Sequence, residues 1–226
     1  MLKIPLFAFS IDLTFLYVYH TIMSNPIIRS FYFFRHGETN WNKNKICQGH
    51  MDIPLNEAGR SQARELQILL KQFDLKYIYS SDLSRAFETA EIVAQGKIPV
   101  KKLKILREAY LGEGEGQSYE LLIEKYGSGV EQFFKGLTPE IKNSSILPGA
   151  ETPGEVIQRL YDSLDLIMQE CSASRIGIST HGGALRNFIQ EVSDPLTHPI
   201  IIPNCVVYRV TYHTLSKVWD VDGPLC

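Results

Sequence analysis

The sequence is poor in cysteine: four residues, Cys47, Cys171, Cys205 and Cys226, spread over 226 positions. None forms a Cys-x-x-Cys pair, so neither a disulfide framework nor a zinc ribbon has support, and the thiols read as ordinary residues of a reducing compartment. Basic excess is also missing. With 23 Lys and Arg against 25 Asp and Glu, the formal net charge is -2. A nucleic-acid binder shows its positive footprint in such totals, so that class is excluded. A local basic pocket is not, because an anion site needs only a few arginines aimed at one point.

A clean membrane span is lacking as well. The only candidate, Met1 to Ile22, is rich in Leu, Phe, Ile and Tyr, but Asp12 interrupts it and only Lys3 precedes that aspartate. A spanning helix needs about 20 apolar residues, and an aspartate near its centre costs roughly 2.5–3.5 kcal/mol. No Ala-x-Ala-like cleavage site follows. Residues 1–26 are therefore expected to be an extension outside the core fold, with Met23 a candidate start of translation. The domain is expected over 27–226, with a cap insertion at about 109–150. Hydrophobic residues make up 44% of the chain, enough apolar area for a full core.

From residue 27 onward the patterns alternate between strand and helix. Ile27–Phe34 is a compact apolar run suited to a buried strand, and it delivers Arg35-His36-Gly37 at its end. Asn56 predicts an N-cap, after which Ala63, Leu66, Leu70 and Phe73 recur at helical spacing. Tyr77–Ser80 predicts a second strand, and Ala86, Phe87, Ala90 and Val93 share a face of the following helix. Leu103–Leu106 predicts a third strand. Pro153 opens a helix striped by Val156, Leu160, Leu164 and Ile167. Arg175–Thr180 predicts a strand ending in His181-Gly182-Gly183, and Val206–Tyr212 and Ser216–Val221 predict closing strands. The glycine-rich stretch between 109 and 150 reads as a cap lying over the core.

Alternating strands and helices imply an α/β fold, a three-layer α/β/α sandwich whose central sheet is mostly parallel, with a small cap insertion. In such sheets ligands bind beyond the carboxyl ends of the strands. His36, Asp82, Glu108 and His181 all fall at predicted strand ends, with Arg35, Asn42 and Arg85 close by in sequence. Arginines fork onto phosphate oxygens, a neutral imidazole attacks phosphorus, and a carboxylic acid protonates a departing oxygen. The set suits phosphoryl transfer.

The ordered segments carry a resemblance. Arg35-His36-Gly37-Glu38-Thr39-Asn40-Trp41-Asn42 is similar to the signature of the histidine phosphatase superfamily, in its phosphoglycerate-mutase-like branch. Gln48 to Gly59, Ser80 to Ala90, Leu106-Arg107-Glu108, Pro148 to Thr152 and Thr180-His181-Gly182-Gly183 follow in that family's order, over residues 30–212. The resemblance implies that His36 becomes a phosphohistidine and that Arg35, Arg85 and His181 hold the phosphoryl oxygens. It implies a substrate-binding wall of Asn42, Gln48, Gly49 and Gly182. Glu108 matches the proton donor, a double use as acid and base that calls for other acids or apolar walls around it. Glu113, Glu115 and Glu151 stay open as alternatives to Glu108, and Gln48 and His50 either line the pocket or brace its loop.

No cofactor or metal is implied, since arginines supply the positive charge. The implied substrate is a small phosphate ester, with neither nucleic acid nor membrane as partner, in a cytoplasmic monomer or homodimer. One departure stands out: Gly112-Glu113-Gly114-Glu115-Gly116 has glycine where relatives often carry tryptophan, which predicts a looser loop. Between Glu108 and Pro148 the only bases are Lys125, Lys135 and Lys142, while five acids occupy Glu113–Glu131. That favours hydrolysis over a mutase, which needs extra cationic clamps. A non-catalytic phosphate-binding module is the third reading.

Overall fold

The apolar run near residue 30 becomes strand β1, Ile28–Arg35, and alternate residues enter two different cores. Phe31 and Phe33 pack on one face of the sheet, Tyr32 and Phe34 on the other. Burying each phenylalanine on a sheet covered on both faces contributes roughly 1.5–3 kcal/mol, which explains why the stretch Phe31–Phe34 is unbroken aromatic rather than alternating. The computed structural model describes residues 28–135, 139–145, 147–193, 200 and 202–225. The N-terminal segment 1–26 lies outside the described residues.

Five further strands join β1: β2 (Tyr77–Ser80), β3 (Val100–Lys102), β4 (Arg175–Thr180), β5 (Val207–His213) and β6 (Val218–Leu225). The sheet order is β3-β2-β4-β1-β5-β6. The first four of these are mutually parallel, while β5 runs antiparallel to β1 and β6 antiparallel to β5. Helices cover both faces. α1 is the short turn Asn40–Lys43 and α2 spans Glu57–Leu70; α3 spans Ser84–Ala94. α2 and α3 pack with Tyr32, Phe34 and Ile78 through Leu66, Leu70, Ala90 and Val93. The cap holds α4 (Tyr119–Tyr126), α5 (Ser128–Lys135) and α6 (Pro139–Lys142). α7 (Pro153–Glu170) and α8 (Gly182–Val192) cover the other face through Leu160, Leu164, Ile167, Leu185 and Phe188.

The caps read from sequence are in place. Asn56 Oδ1 accepts the Gly59 N–H at 2.8 Å, and Thr152 forms a reciprocal capping box with Glu155. One predicted strand is absent. Leu103 N–H still bonds Ser80 O at 2.7 Å, but the chain then curls into a 3₁₀ turn, Lys104–Leu106, that buries Leu106 completely. The third strand is the preceding Val100–Lys102. Glu108 therefore leaves a turn rather than a strand end. The run of lysines around it is solvent-facing at Lys101, which pairs with Glu170 at 2.6 Å.

The loop departure at Gly114 has a different outcome from the looser loop expected. Gly112–Gly114 is a 3₁₀ turn, and a Cβ on Gly114 would lie 2.6 Å from Leu147 Cδ1. Leu147 and Leu122, both buried, already occupy the space beside it.

Candidate active site

Strand order decides which motifs meet. β4 lies between β1 and β2, and Arg35 is paired in register with Thr180. His36 and His181 thus leave neighbouring strands side by side, with ring centroids 5.2 Å apart at 61°. β2, on the other side of β4, delivers Ser81, Asp82 and the helix start that carries Arg85.

His36 is buried, and its Nδ1 lies 2.7 Å from Gly37 O. A carbonyl only accepts, so Nδ1 carries the proton and Nε2 keeps its lone pair. The loop that fixes this tautomer rests on glycines: a Cβ on Gly37 would lie 2.3 Å from Gly59 O, and one on Gly59 would lie 2.1 Å from Glu38 O. Gly59→Ala in an open helix gains about 1 kcal/mol; here overlap with fixed backbone is expected to reverse the sign and cost about 1–3 kcal/mol. A urea midpoint no lower than wild type would contradict this packing.

His181 Nε2 lies 2.8 Å from Ser81 Oγ. If the hydroxyl donates to Nε2, Nδ1 carries the proton, and that Nδ1 is buried with no hydrogen-bond partner. Arg35 Nε and Arg85 Nε are buried and unpartnered in the same way. The remaining arms of these arginines are tied to backbone: Arg35 Nη1 donates to Ile202 O, and Arg85 donates to Met51 O at 2.7 Å and Gly49 O at 2.8 Å. Burial lowers Arg85 to about 10, still far above neutrality. Three buried donors beside an unprotonated imidazole nitrogen fit a phosphoryl group, since leaving such groups unpaired costs about 1–3 kcal/mol each.

Burial, then Arg85 and Arg35, push His36 well below the ordinary histidine range, opposed in part by the bond to Gly37 O. His181 is pushed down by burial, then by Arg85 and His36. Both rings are neutral in the fold. The unfolded chain takes up these protons near pH 6.5 and the folded chain does not, so stability falls as pH drops below about 6.5. Each histidine contributes at most about 1.4 kcal/mol per pH unit to that slope. Urea midpoints at about pH 5.5 and 7.5 test this: His181→Asn is expected to shrink the acid-side loss. An undiminished loss would mean that the ring is already protonated in the fold.

Glu108 is fixed from two sides. Its Oε1 accepts the N–H groups of Ala184 at 2.7 Å and Ala109 at 2.9 Å, and Oε2 accepts Gly183 N–H at 2.9 Å. The carboxylate sits at the start of α8, where free N–H groups favour an anion. These donors hold it where other acids were expected, while Ile46, Leu111 and Phe134 supply apolar wall in the same cavity. Its carbonyl accepts from Arg159 at 3.0 Å and from His50 Nε2 at 2.9 Å. Arg159 also donates to Ile105 O, Arg107 O and both oxygens of Glu151, which spends its fork on holding this turn. Arg107 adds a two-pronged pair to Asp82, at 2.7 Å on each oxygen.

A cavity of about 90 Å³ brings together Arg35, His36, Asn42, Gln48, Gly49, Arg85, Glu108 and Gly182. His181 is not part of the cavity lining, but its ring lies against that of His36. Of the four glutamates considered, Glu108 lines this cavity and Glu113, Glu115 and Glu151 do not. Glu113 is exposed beside Tyr126, Glu115 accepts His50 N–H at 2.6 Å, and Glu151 is engaged by Arg159. Gln48 both lines the cavity and accepts from Thr39 Oγ1 at 3.1 Å; His50 braces. Asn42 caps α1 through Oδ1, which accepts Thr39 N–H at 3.1 Å. Trp41 and Met51 are outside the wall, and Met51 is 46% exposed rather than packed.

Among the cavity residues that escaped the reading from sequence are Tyr119, Phe134, Arg186 and Cys47. Arg186 stands four residues after Gly182 and three after Gly183 on α8, so one helix face was the available signal for it. Burial pushes the Cys47 thiol up to about 12, which makes it an inert part of the wall. Asn204 was also missed; its Nδ2 donates to His36 O at 2.9 Å.

Residues 31–221 match the family model described as histidine phosphatase superfamily (branch 1). The chain is 37% identical over 164 residues to phosphoglycerate mutase-like protein 4 of Arabidopsis thaliana, covering 70% of this chain and 68% of that protein. It is 34% identical over 181 residues to the uncharacterized phosphatase PhoE of Bacillus subtilis, covering 79% and 86%. Among solved structures, phosphoglycerate mutase from Bacillus anthracis superposes with a TM-score of 0.78 at 26% identity, over 89% of this chain and 94% of that one. Sequence motifs in order, a matching fold and a family model spanning most of the domain converge: the chain belongs to the histidine phosphatase superfamily.

Proposed function

We propose that this chain hydrolyses small phosphomonoesters through a phosphohistidine on His36 Nε2. The observation that carries the reading is the tautomer: Nδ1 is committed to Gly37 O, so the lone pair on Nε2 is available in the cavity that Arg35, Arg85 and His36 share. In the first step Nε2 bonds to phosphorus as the bond to the ester oxygen breaks. Glu108, protonated, gives its proton to the leaving alkoxide. In the second step Glu108 takes a proton from water, the resulting oxygen attacks phosphorus, and the P–N bond breaks to release phosphate. Arg35, Arg85 and His181 offset the charge that develops on the phosphoryl oxygens.

No metal enters this mechanism, and the rate is expected to be unchanged by excess chelator. We place the reaction in the cytoplasm, in keeping with the free thiols of Cys47, Cys171 and Cys205. Among the described residues no helix is long and apolar enough to cross a membrane.

A mutase is the second reading, and Arg186 is the observation in its favour, because it adds a cation to the cavity that the count of cap bases omitted. Against it, Lys125 lies 3.5 Å from the exposed Glu113, and Lys142 pairs with Glu191 at 2.7 Å. Neither lines the cavity. The relatives carry both kinds of name, mutase-like and phosphatase. Incubation with 3-phosphoglycerate and its 2,3-bisphosphate primer separates the two: phosphate release is expected to outpace interconversion, and the reverse order would overturn the hydrolase.

A further inference from the structure

Three arginines line the cavity, and their commitments differ. Arg35 and Arg85 each spend N–H groups on backbone carbonyls and keep a buried Nε in reserve. Arg186 makes no hydrogen bond or ion pair to any other described residue. The obvious counter-ion is taken: both oxygens of Glu108 are held by backbone N–H groups, and no ion pair joins Glu108 to Arg186. A guanidinium carries five donors in a fixed fork. Arg186 is partly buried and lines the cavity rather than projecting from a fully solvated helix face. With no described partner engaging it, its fork is free to meet an anion that enters the cavity.

Across from α8 the cap supplies a different surface. Tyr119 stacks on Phe134, with ring centroids 4.5 Å apart and planes at 17°, and both line the cavity. The site thus has a phosphoryl end built from Arg35, Arg85 and His36, and a second cationic point at Arg186 beside an aromatic wall. A cavity near 90 Å³ holds a compact molecule.

We propose that Arg186 binds a second anionic group on the substrate and so selects small phosphomonoesters that carry a carboxylate or a second phosphoryl group over neutral ones. The inference rests on the phosphomonoester reading above and names its substrate class. A bidentate, charge-assisted contact of this kind discriminates by about 10–100-fold.

The test uses three esters with one three-carbon chain: 3-phosphooxypropionate, its methyl ester, and 1,3-propanediol bisphosphate. Wild type is expected to show kcat/KM about 10–100-fold higher for at least one of the two esters with a second anionic group than for the methyl ester. Arg186→Gln is expected to bring that ratio to within about threefold, while Arg186→Lys retains part of it. Which of the two esters with a second anionic group is preferred distinguishes carboxylate from phosphoryl recognition. A wild-type ratio near one overturns the proposal whatever the variants do. So does an equal loss on all three esters in Arg186→Gln, which would assign Arg186 to the reacting phosphoryl group. If wild type releases phosphate neither from these esters nor from 4-nitrophenyl phosphate, the hydrolase reading fails separately. The dissociation constants of the same three compounds, read by calorimetry, then carry the same expected ratio and the same refutation.

Discussion

His36→Ala is expected to lower phosphate release from an aryl phosphate by roughly 10⁴–10⁶-fold, the scale on which removing a covalent nucleophile acts. Structural damage is a poor explanation for such a loss. Deleting the ring removes a buried polar group whose one internal bond is to the adjacent Gly37 O, and the Arg35 and Asn204 contacts around it are to backbone. Thermal unfolding of the variant should therefore stay close to wild type. The direct signature is chemical: wild type quenched in acid-free conditions after exposure to labelled ester carries an acid-labile phosphoryl group, and His36→Ala carries none. A variant that still turns over the ester at a tenth of the wild-type rate would sink the phosphohistidine mechanism.

For Glu108 the informative quantity is how the loss depends on the leaving group. Glu108→Gln is expected to lower kcat by about 10²–10⁴-fold for an alkyl ester, whose departing alkoxide needs a proton. The loss should be much smaller for 4-nitrophenyl phosphate, whose phenolate departs unaided. Glutamine is not an innocent replacement here. Its amide nitrogen would face either the Gly183 N–H or those of Ala184 and Ala109, donor against donor. Glu108→Ala is the companion, since it removes the acid without that conflict. A general disturbance of α8 would slow both esters alike, whereas loss of a proton donor separates them. Equal losses on the two esters would move the acid elsewhere, with Glu115 the nearest candidate through its bond to His50 N.

Much of this was legible before any fold was in hand. The apolar stretch Phe31–Phe34, rich in aromatics and ending at Arg35-His36-Gly37, reads as a strand buried on both faces, and Asn56 and Thr152 start their helices through side-chain bonds made within three residues. Such features are local, so local spacing encodes them. Glu108 shows where that logic stops. Leu103–Leu106 has the composition of a strand, yet the turn wins because Leu106 gains complete burial and Arg159, some fifty residues away, takes up the carbonyls of Ile105, Arg107 and Glu108.

By itself the sequence determined the residue types that do the chemistry and the alternation of strand and helix that puts them at one edge of a sheet. It also determined the family, because six ordered motifs persist in the chain. Tertiary structure alone decided that β4 inserts between β1 and β2, which brings His181 beside His36. It decided which nitrogen of His36 carries the proton, which glutamate faces the cavity, and that Arg186, an ordinary helix residue in sequence, lines that cavity with no hydrogen bond or ion pair to another described residue. The physical reason is the same throughout: strand order, tautomer and counter-ion depend on partners distant in the chain, and spacing along one segment carries no record of them.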